Sequence, residues 1–174
     1  AARVVGAFEL TRRALSEPLS RAAPYGTSRD VARAYGPRLA DRTDECVLAV
    51  VLDVRQRPIA ERILATGGPA ACAVAVRDVF ALAVREGGAA LLLVHNHPSG
   101  DPTPSPDDEY FTRALVEAGR WLDLPLIDHV IVGREGAFSF LDAGLLRPVT
   151  VAAGGAHGIA AHASTPTLTE GRAS

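Results

Sequence analysis

Residues 46–54 read CVLAVVLDV, an almost uncharged, β-branched run that marks a central strand. Glu45 stands immediately before it. Arg55-Gln56-Arg57-Pro58 turns the chain, and residues 59–65 return as a second strand paired with the first in a hairpin. Residues 89–94, AALLLV, carry no charge and have the length of a buried strand. Further strands are expected at 126–132 and, after a glycine-bounded turn, at 137–140.

Between these runs the apolar period lengthens to that of a helix. Ser28 is expected to cap a helix to about residue 39, with Val31, Ala34, Tyr35 and Leu39 on its apolar face. A second helix spans 76–86 and stops at Gly87-Gly88. A third runs from Pro106 to about residue 121, with Ser105 as its N-cap and Pro106 at the first helical position. Gly67-Gly68-Pro69 is a loop. Strands and helices therefore alternate from Glu45 onward, which predicts an α/β domain with helices packed on a mixed sheet.

The ends differ from the middle. Residues 1–16 show a helical stripe of Val4, Val5 and Phe8, extended by Ala7 and Leu15, and residues 18–27, with Pro24 and Gly26, form a linker. Beyond Pro148 the chain is Ala, Gly, Ser and Thr with no hydrophobic period, so residues 148–174 are expected to be a disordered tail. His157 and His162 are then solvent-exposed bystanders.

Composition narrows the function classes. At 174 residues and 48% hydrophobic, the chain can bury one core with a small appendage. It contains no run of eighteen apolar residues and no signal-peptide pattern, which points to the cytoplasm and to no membrane partner. All 18 basic residues are Arg and there is no Met, so the chain is expected to begin partway into a longer gene product. Cys46 and Cys72 lie far apart in apolar runs and read as buried small hydrophobes rather than ligands or a disulfide. The net charge is −2, but residues 1–43 carry eight Arg against four acids, leaving ten Arg against sixteen acids in the remainder. The acidic part is a poor surface for a phosphate backbone.

That acidic part holds the candidate chemistry, in the stretch LLLVHNHPSGDPTPSPDDEY at 91–110. Residues two apart on a strand share a face, so His95 and His97 present two imidazoles side by side. Asp108 falls at the third position of the helix that Ser105 opens. By itself Asp108 reads as the far end of a capping box with Ser105, and an HxH pair alone is a common strand end. The combined spacing favours a metal: two imidazoles and a carboxylate leave one position for water, as in catalytic zinc sites.

His95-Asn96-His97-Pro98-Ser99-Gly100-Asp101, followed by Pro104-Ser105 and Asp108, resembles the JAMM motif of the RadC-like proteins, bacterial members of the MPN (JAB) metalloprotease superfamily. The resemblance extends through residues 126–133 and Phe138-Ser139-Phe140, takes in Glu45 and the run to Asp53, and covers roughly 28–147. It implies the MPN fold, related in architecture to the cytidine deaminases, and a Zn2+ ion held by His95, His97 and Asp108. Glu45, eight residues before Asp53, matches the motif glutamate, which implies a base acting on the zinc-bound water. Without the resemblance it reads as a solvated residue at a strand start, and Asp44 is its near neighbour. Ser105 matches the motif serine, whose hydroxyl is expected to stabilise an oxyanion. Its use as a helix cap would occupy a lone pair and leave the O–H free. His129, beside Asp128 within a strand, reads as a hydrogen-bonded structural histidine rather than a fourth ligand, with support of the site from behind as its other role.

Where RadC-like proteins usually show Gly-Thr and later His-Pro-Arg, this chain has Gly67-Gly68 and Ala75-Val76-Arg77, so the resemblance says least about that side. Residues 1–17 resemble the last helix of a helix-hairpin-helix domain, and contact with DNA is expected only through the missing part of that domain. The function implied is a zinc-dependent hydrolase cleaving an amide or isopeptide-like bond in an unknown protein or peptide. The rivals are a DNA repair or recombination factor, a role attached to the RadC name, and a catalytically silent MPN interaction module. A zinc deaminase is excluded, since no H-x-E followed by P-C-x-x-C is present.

Overall fold

The run that begins at Cys46 forms β1 (Cys46–Leu52), in which every residue is buried. Such a strand needs cover on both faces and a neighbour on both edges, and it has all four. β2 (Pro58–Thr66) pairs antiparallel with one edge and β3 (Ala90–Asn96) antiparallel with the other. β4 (Leu126–Gly133) lies parallel to β3, and β5 (Gly136–Ser139) antiparallel to β4. The sheet order is β2-β1-β3-β4-β5, so the computed structural model is a mixed five-stranded sheet with β3 at its centre. It describes residues 24–68, 74–149 and 151.

Among the described residues, three helices cover the sheet: α1 (Ser28–Leu39), α2 (Val76–Arg85) and α3 (Pro106–Leu122). Alternation along the strands divides the core in two. Leu48, Val50, Leu92, Val94, Val130 and Val132 face Val31, Tyr35 and Leu39 of α1. Val47, Ala49, Leu91, Leu93 and Ile131 face Val79 and Phe80 of α2 and Phe111 and Leu115 of α3. The parallel pair β3 and β4 is joined through α3, the crossover that a parallel connection requires. His95 continues the second set, so it points to the α3 face of the sheet.

Three local expectations are corrected. The cap of α1 is Thr27, not Ser28: Thr27 accepts from the Asp30 amide and Asp30 bonds back to the Thr27 amide, a complete capping box. Ser28 lies inside the helix and hydrogen-bonds Asp142 instead. Ala34 is exposed, because the buried stripe of α1 runs at steps of four through Val31, Tyr35 and Leu39. β1 ends at Leu52 rather than running on to Val54, because the Asp53 carboxylate takes the amides of Arg55 and Arg57 at 2.8 and 2.9 Å and turns the chain.

Cys46 is a free buried thiol, as its apolar run suggested. The helix expected at 1–16, Cys72, His157 and His162 lie outside the described residues, as does most of the tail, although Val151 packs against the α1 side of the core. Among the described residues, no helix is long and apolar enough to cross a membrane.

Candidate metal centre

His95 stands at the C-terminal end of β3, His97 follows immediately after the strand, and Asp108 lies in the first turn of α3. One ligand atom from each of the three lies within 4.8 Å of the other two. The contacts are short: His95 Nε2 to His97 Nε2 is 3.0 Å, His95 Nε2 to Asp108 Oδ1 3.2 Å, and His97 Nε2 to Asp108 Oδ2 3.3 Å. Four-coordinate zinc with bonds near 2.0–2.1 Å has ligand-to-ligand edges of about 3.3 Å, so the spacing suits a small tetrahedral cation.

The hydrogen bonds behind the rings give a second test of fit. His97 Nδ1 is 2.9 Å from the Asp101 carbonyl, which can only accept, so Nδ1 carries the proton and a neutral His97 has a bare Nε2. Two imidazole nitrogens facing each other at 3.0 Å need a cation or a proton between them. His95, His97 and Asp108 can therefore hold a metal ion.

The electrostatics favour available lone pairs on His95 and Asp108, while without an ion His97 is drawn toward its protonated form. Burial pushes His95 down to about 4, against the pull of Asp108, so this ring is neutral and offers a lone pair at neutral pH. His97 is raised, chiefly by its hydrogen bond to Asp108, with burial opposing and the Asp101 carbonyl and Glu45 assisting. Burial pulls Asp108 up, but His97, His95 and the Ser105 hydroxyl and amide together hold it well below the usual carboxylate range. The carboxylate is thus ionised and ready to serve as a ligand.

The loop between His97 and Ser105 is clasped by the β4–β5 turn. The His97 amide bonds the Val132 carbonyl at 3.1 Å, the Glu135 amide bonds Gly100 at 3.1 Å, and Arg134 reaches the Pro98 and Ser99 carbonyls. Gly100 sits at φ +98°, and a Cβ on Gly133 would lie 2.1 Å from the Gly100 oxygen. That neighbour is backbone and has no rotamer to escape into. Gly133→Ala is expected to cost roughly 1–3 kcal/mol, the usual range for overpacking, and to loosen the loop that carries His97. Chemical denaturation reads it; an unchanged midpoint would show that the loop yields freely.

Glu45 immediately precedes β1 and His97 immediately follows β3, so continuing the register Val47 to His95 and Cys46 to Asn96 by one step brings Glu45 opposite His97, just beyond the paired strands. Its backbone is pinned by the Gly67 amide at 2.8 Å, and its charge acts on His97. Asp44 has the opposite parity and is paired with Arg42 at 2.9 Å. Its carbonyl accepts from the Asn96 side chain at 3.1 Å, which fixes the approach to Glu45.

Ser105 differs from expectation. It caps α3, accepting from the Asp108 amide at 3.2 Å, but its O–H is not free: it donates to Asp108 Oδ2 at 2.5 Å. The reason is the capping box itself, which brings the carboxylate back over the cap, where the Ser105 amide also bonds Oδ2 at 2.8 Å. A single acid thus serves as helix cap and candidate ligand.

His129 is hydrogen-bonded and fully buried, as expected of a structural histidine, and its bond goes to a candidate ligand: Nε2 lies 2.7 Å from His95 Nδ1. Its other nitrogen lies 2.7 Å from Thr112 Oγ1. Thr112 escaped the reading of the sequence. Its signal was its place four residues after Asp108, on the same face of α3. Asp128 points to the opposite side and holds Ser139 at 2.6 Å and the amides of His129 and Leu141. Burial raises its carboxyl, and those three bonds oppose the shift. Arg77 is exposed and pairs with Asp78, while Gly67 and Gly68 are exposed at positive φ.

A family model described as the RadC-like JAB domain matches residues 25–145, from just before α1 to just after β5. The chain belongs to this family. Among curated proteins it is 41% identical over 146 residues to a UPF0758 protein of Syntrophotalea carbinolica, covering 84% of this chain and 64% of the relative. A UPF0758 protein of Trichlorobacter lovleyi is 38% identical with the same coverages, and one of Methanosarcina acetivorans 35% over 150 residues. This RadC-like JAB domain therefore spans less than two thirds of the length of these relatives, at 64% of each. Its sheet, flanked by three helices, is the α/β JAB/MPN fold.

Proposed function

We propose that this domain is a zinc-dependent metallohydrolase that cleaves an amide or isopeptide bond in a protein or peptide substrate. The observation that carries the reading is the convergence of two histidine Nε2 atoms and one carboxylate at tetrahedral edge lengths, on a set of three donors. Three protein ligands are the mark of a catalytic site, since structural zinc sites use four. A bound zinc ion would supply Lewis acidity and lower the pKa of a water to about 7.

The chain's own residues divide the remaining work. Glu45, opposite His97 just beyond the paired strands, takes the proton of the attacking water and returns it to the leaving amine. Ser105 first orients Asp108 through its hydroxyl and amide. To act on an oxyanion its hydroxyl must leave Oδ2, which a second hydrogen bond from the Ser105 amide makes tolerable for the carboxylate. Asn96 holds the backbone at Asp44, so Glu45 approaches from a fixed direction.

The test is a screen of peptide and isopeptide substrates with zinc-loaded protein. Cleavage should disappear with a chelator and return when zinc is restored. Cleavage that survives complete removal of metal would overturn the reading.

A further inference from the structure

We infer that Thr112 and His129 are positioning residues that fix the tautomer of His95, through a directional hydrogen-bond chain running from the Asp108 backbone to the His95 ring. The inference rests on the metal reading for its purpose, but the chain of bonds is defined without it.

The direction follows from one group that has no choice. Thr112 Oγ1 lies 2.6 Å from the Asp108 carbonyl oxygen, and a carbonyl only accepts. The single hydroxyl proton of Thr112 is therefore spent there. His129 Nδ1, 2.7 Å from the same Oγ1, must then donate. His129 is completely buried, stacked flat on Phe140 with ring centroids 4.9 Å apart, in surroundings that favour the neutral ring. A neutral imidazole that donates from Nδ1 is bare at Nε2. At 2.7 Å from His95 Nδ1, that bare nitrogen accepts, so His95 carries its proton on Nδ1. The last consequence is the useful one: His95 Nε2 presents a lone pair toward His97 and Asp108.

The fold builds this chain from three elements. His129 lies beside Leu93 in the parallel register of β3 and β4, which brings it to the same face as His95. Thr112 lies one helical turn after Asp108, so its back-bond ties the relay to the helix turn that carries the carboxylate. Phe140 is held edge-on by Phe138 and keeps the His129 ring from tilting. Two of the three candidate ligands are thus linked from behind, independently of any ion. Partners in this position typically change metal affinity by about 10–100-fold when removed.

The test uses the full chain with 15N-labelled histidine, together with Thr112→Val, Thr112→Ser and His129→Gln. Long-range proton–nitrogen correlation identifies which ring nitrogen bears the proton, and chelator competition gives zinc affinity. In the metal-free wild-type chain, His129 and His95 should both carry the proton on Nδ1. Thr112→Val, which keeps the shape and removes the hydroxyl, should lose that preference at His129 and weaken zinc binding about 10–100-fold. Thr112→Ser should restore both, and His129→Gln should weaken zinc binding to a similar degree. A wild-type His129 protonated on Nε2 would overturn the inference. So would affinity within twofold of wild type in Thr112→Val, or a loss of affinity with the tautomers unchanged, which packing alone would explain. If the wild-type chain binds no zinc, the proposed function falls, while the spectrum of the metal-free chain still decides the relay.

Discussion

The purified wild-type chain is expected to carry close to one zinc ion, and His95→Ala and Asp108→Ala are each expected to lose most of it. Deleting either ligand leaves two donors, too few to compete with water for a cation that prefers four ligands. Stability should follow occupancy. An ion that binds only the folded state contributes about 4 kcal/mol when present at a thousand times its Kd, and the wild-type chain should lose that increment when chelated. The two variants should differ once metal is gone. His95→Ala removes one of the facing nitrogens at 3.0 Å, so its metal-free form loses packing but is relieved of a repulsion. Asp108→Ala also removes the carboxylate that completes the capping box of α3 by accepting from the Ser105 amide and hydroxyl, at a further cost of about 1 kcal/mol. Asp108→Asn keeps a capping acceptor while giving up the charge, and so separates the helix cap from the ligand. Metal analysis and thermal melts with and without chelator measure all of this. Full zinc in both alanine variants would remove the ligand assignment.

Much of this centre was legible in the sequence because its parts are local. A charge-free run predicts a buried strand, HxH puts two rings on one face, and Ser-Pro-Asp-Asp opens a helix with its acid at the third position. What escaped depended on groups far apart in the chain. Thr112 looks like any helix threonine until β4 places His129 against it, and Ser105 looks free until the capping box folds Asp108 back over it. Gly133 reads as an ordinary turn residue; only the loop from His97 passing 2.1 Å from where its Cβ would be explains why it carries none. The helix cap at Thr27 was missed for a different reason. Thr27 and Ser28 are both good caps, and the deciding signal was Asp30, three residues after Thr27 and two after Ser28.

Turnover should fall roughly 10²–10⁴-fold in Glu45→Gln, with zinc content and melting temperature unchanged, the usual contribution of a positioned general base. The substitution keeps the shape of the side chain and removes only its basicity. Glu45 is not one of the three candidate ligands, so a bound ion would have no reason to leave. Asp44→Asn is the control, since its neighbour points to the other face of the sheet and its charge is spent on Arg42 at 2.9 Å. Ser105→Ala divides the two roles of the serine. If the hydroxyl chiefly orients Asp108, zinc affinity falls and turnover per zinc-loaded molecule is preserved. If it moves onto an oxyanion during the reaction, turnover falls about 10²–10³-fold at full zinc. Because the capping bond is lost in either case, activity must be normalised to folded, zinc-loaded protein. A fully active Glu45→Gln beside an inactive Asp44→Asn would mean that β1 is out of register by one residue at its start. Full activity in both would leave the attacking water without a base from this strand, and the hydrolytic mechanism built on Glu45 would have to be abandoned.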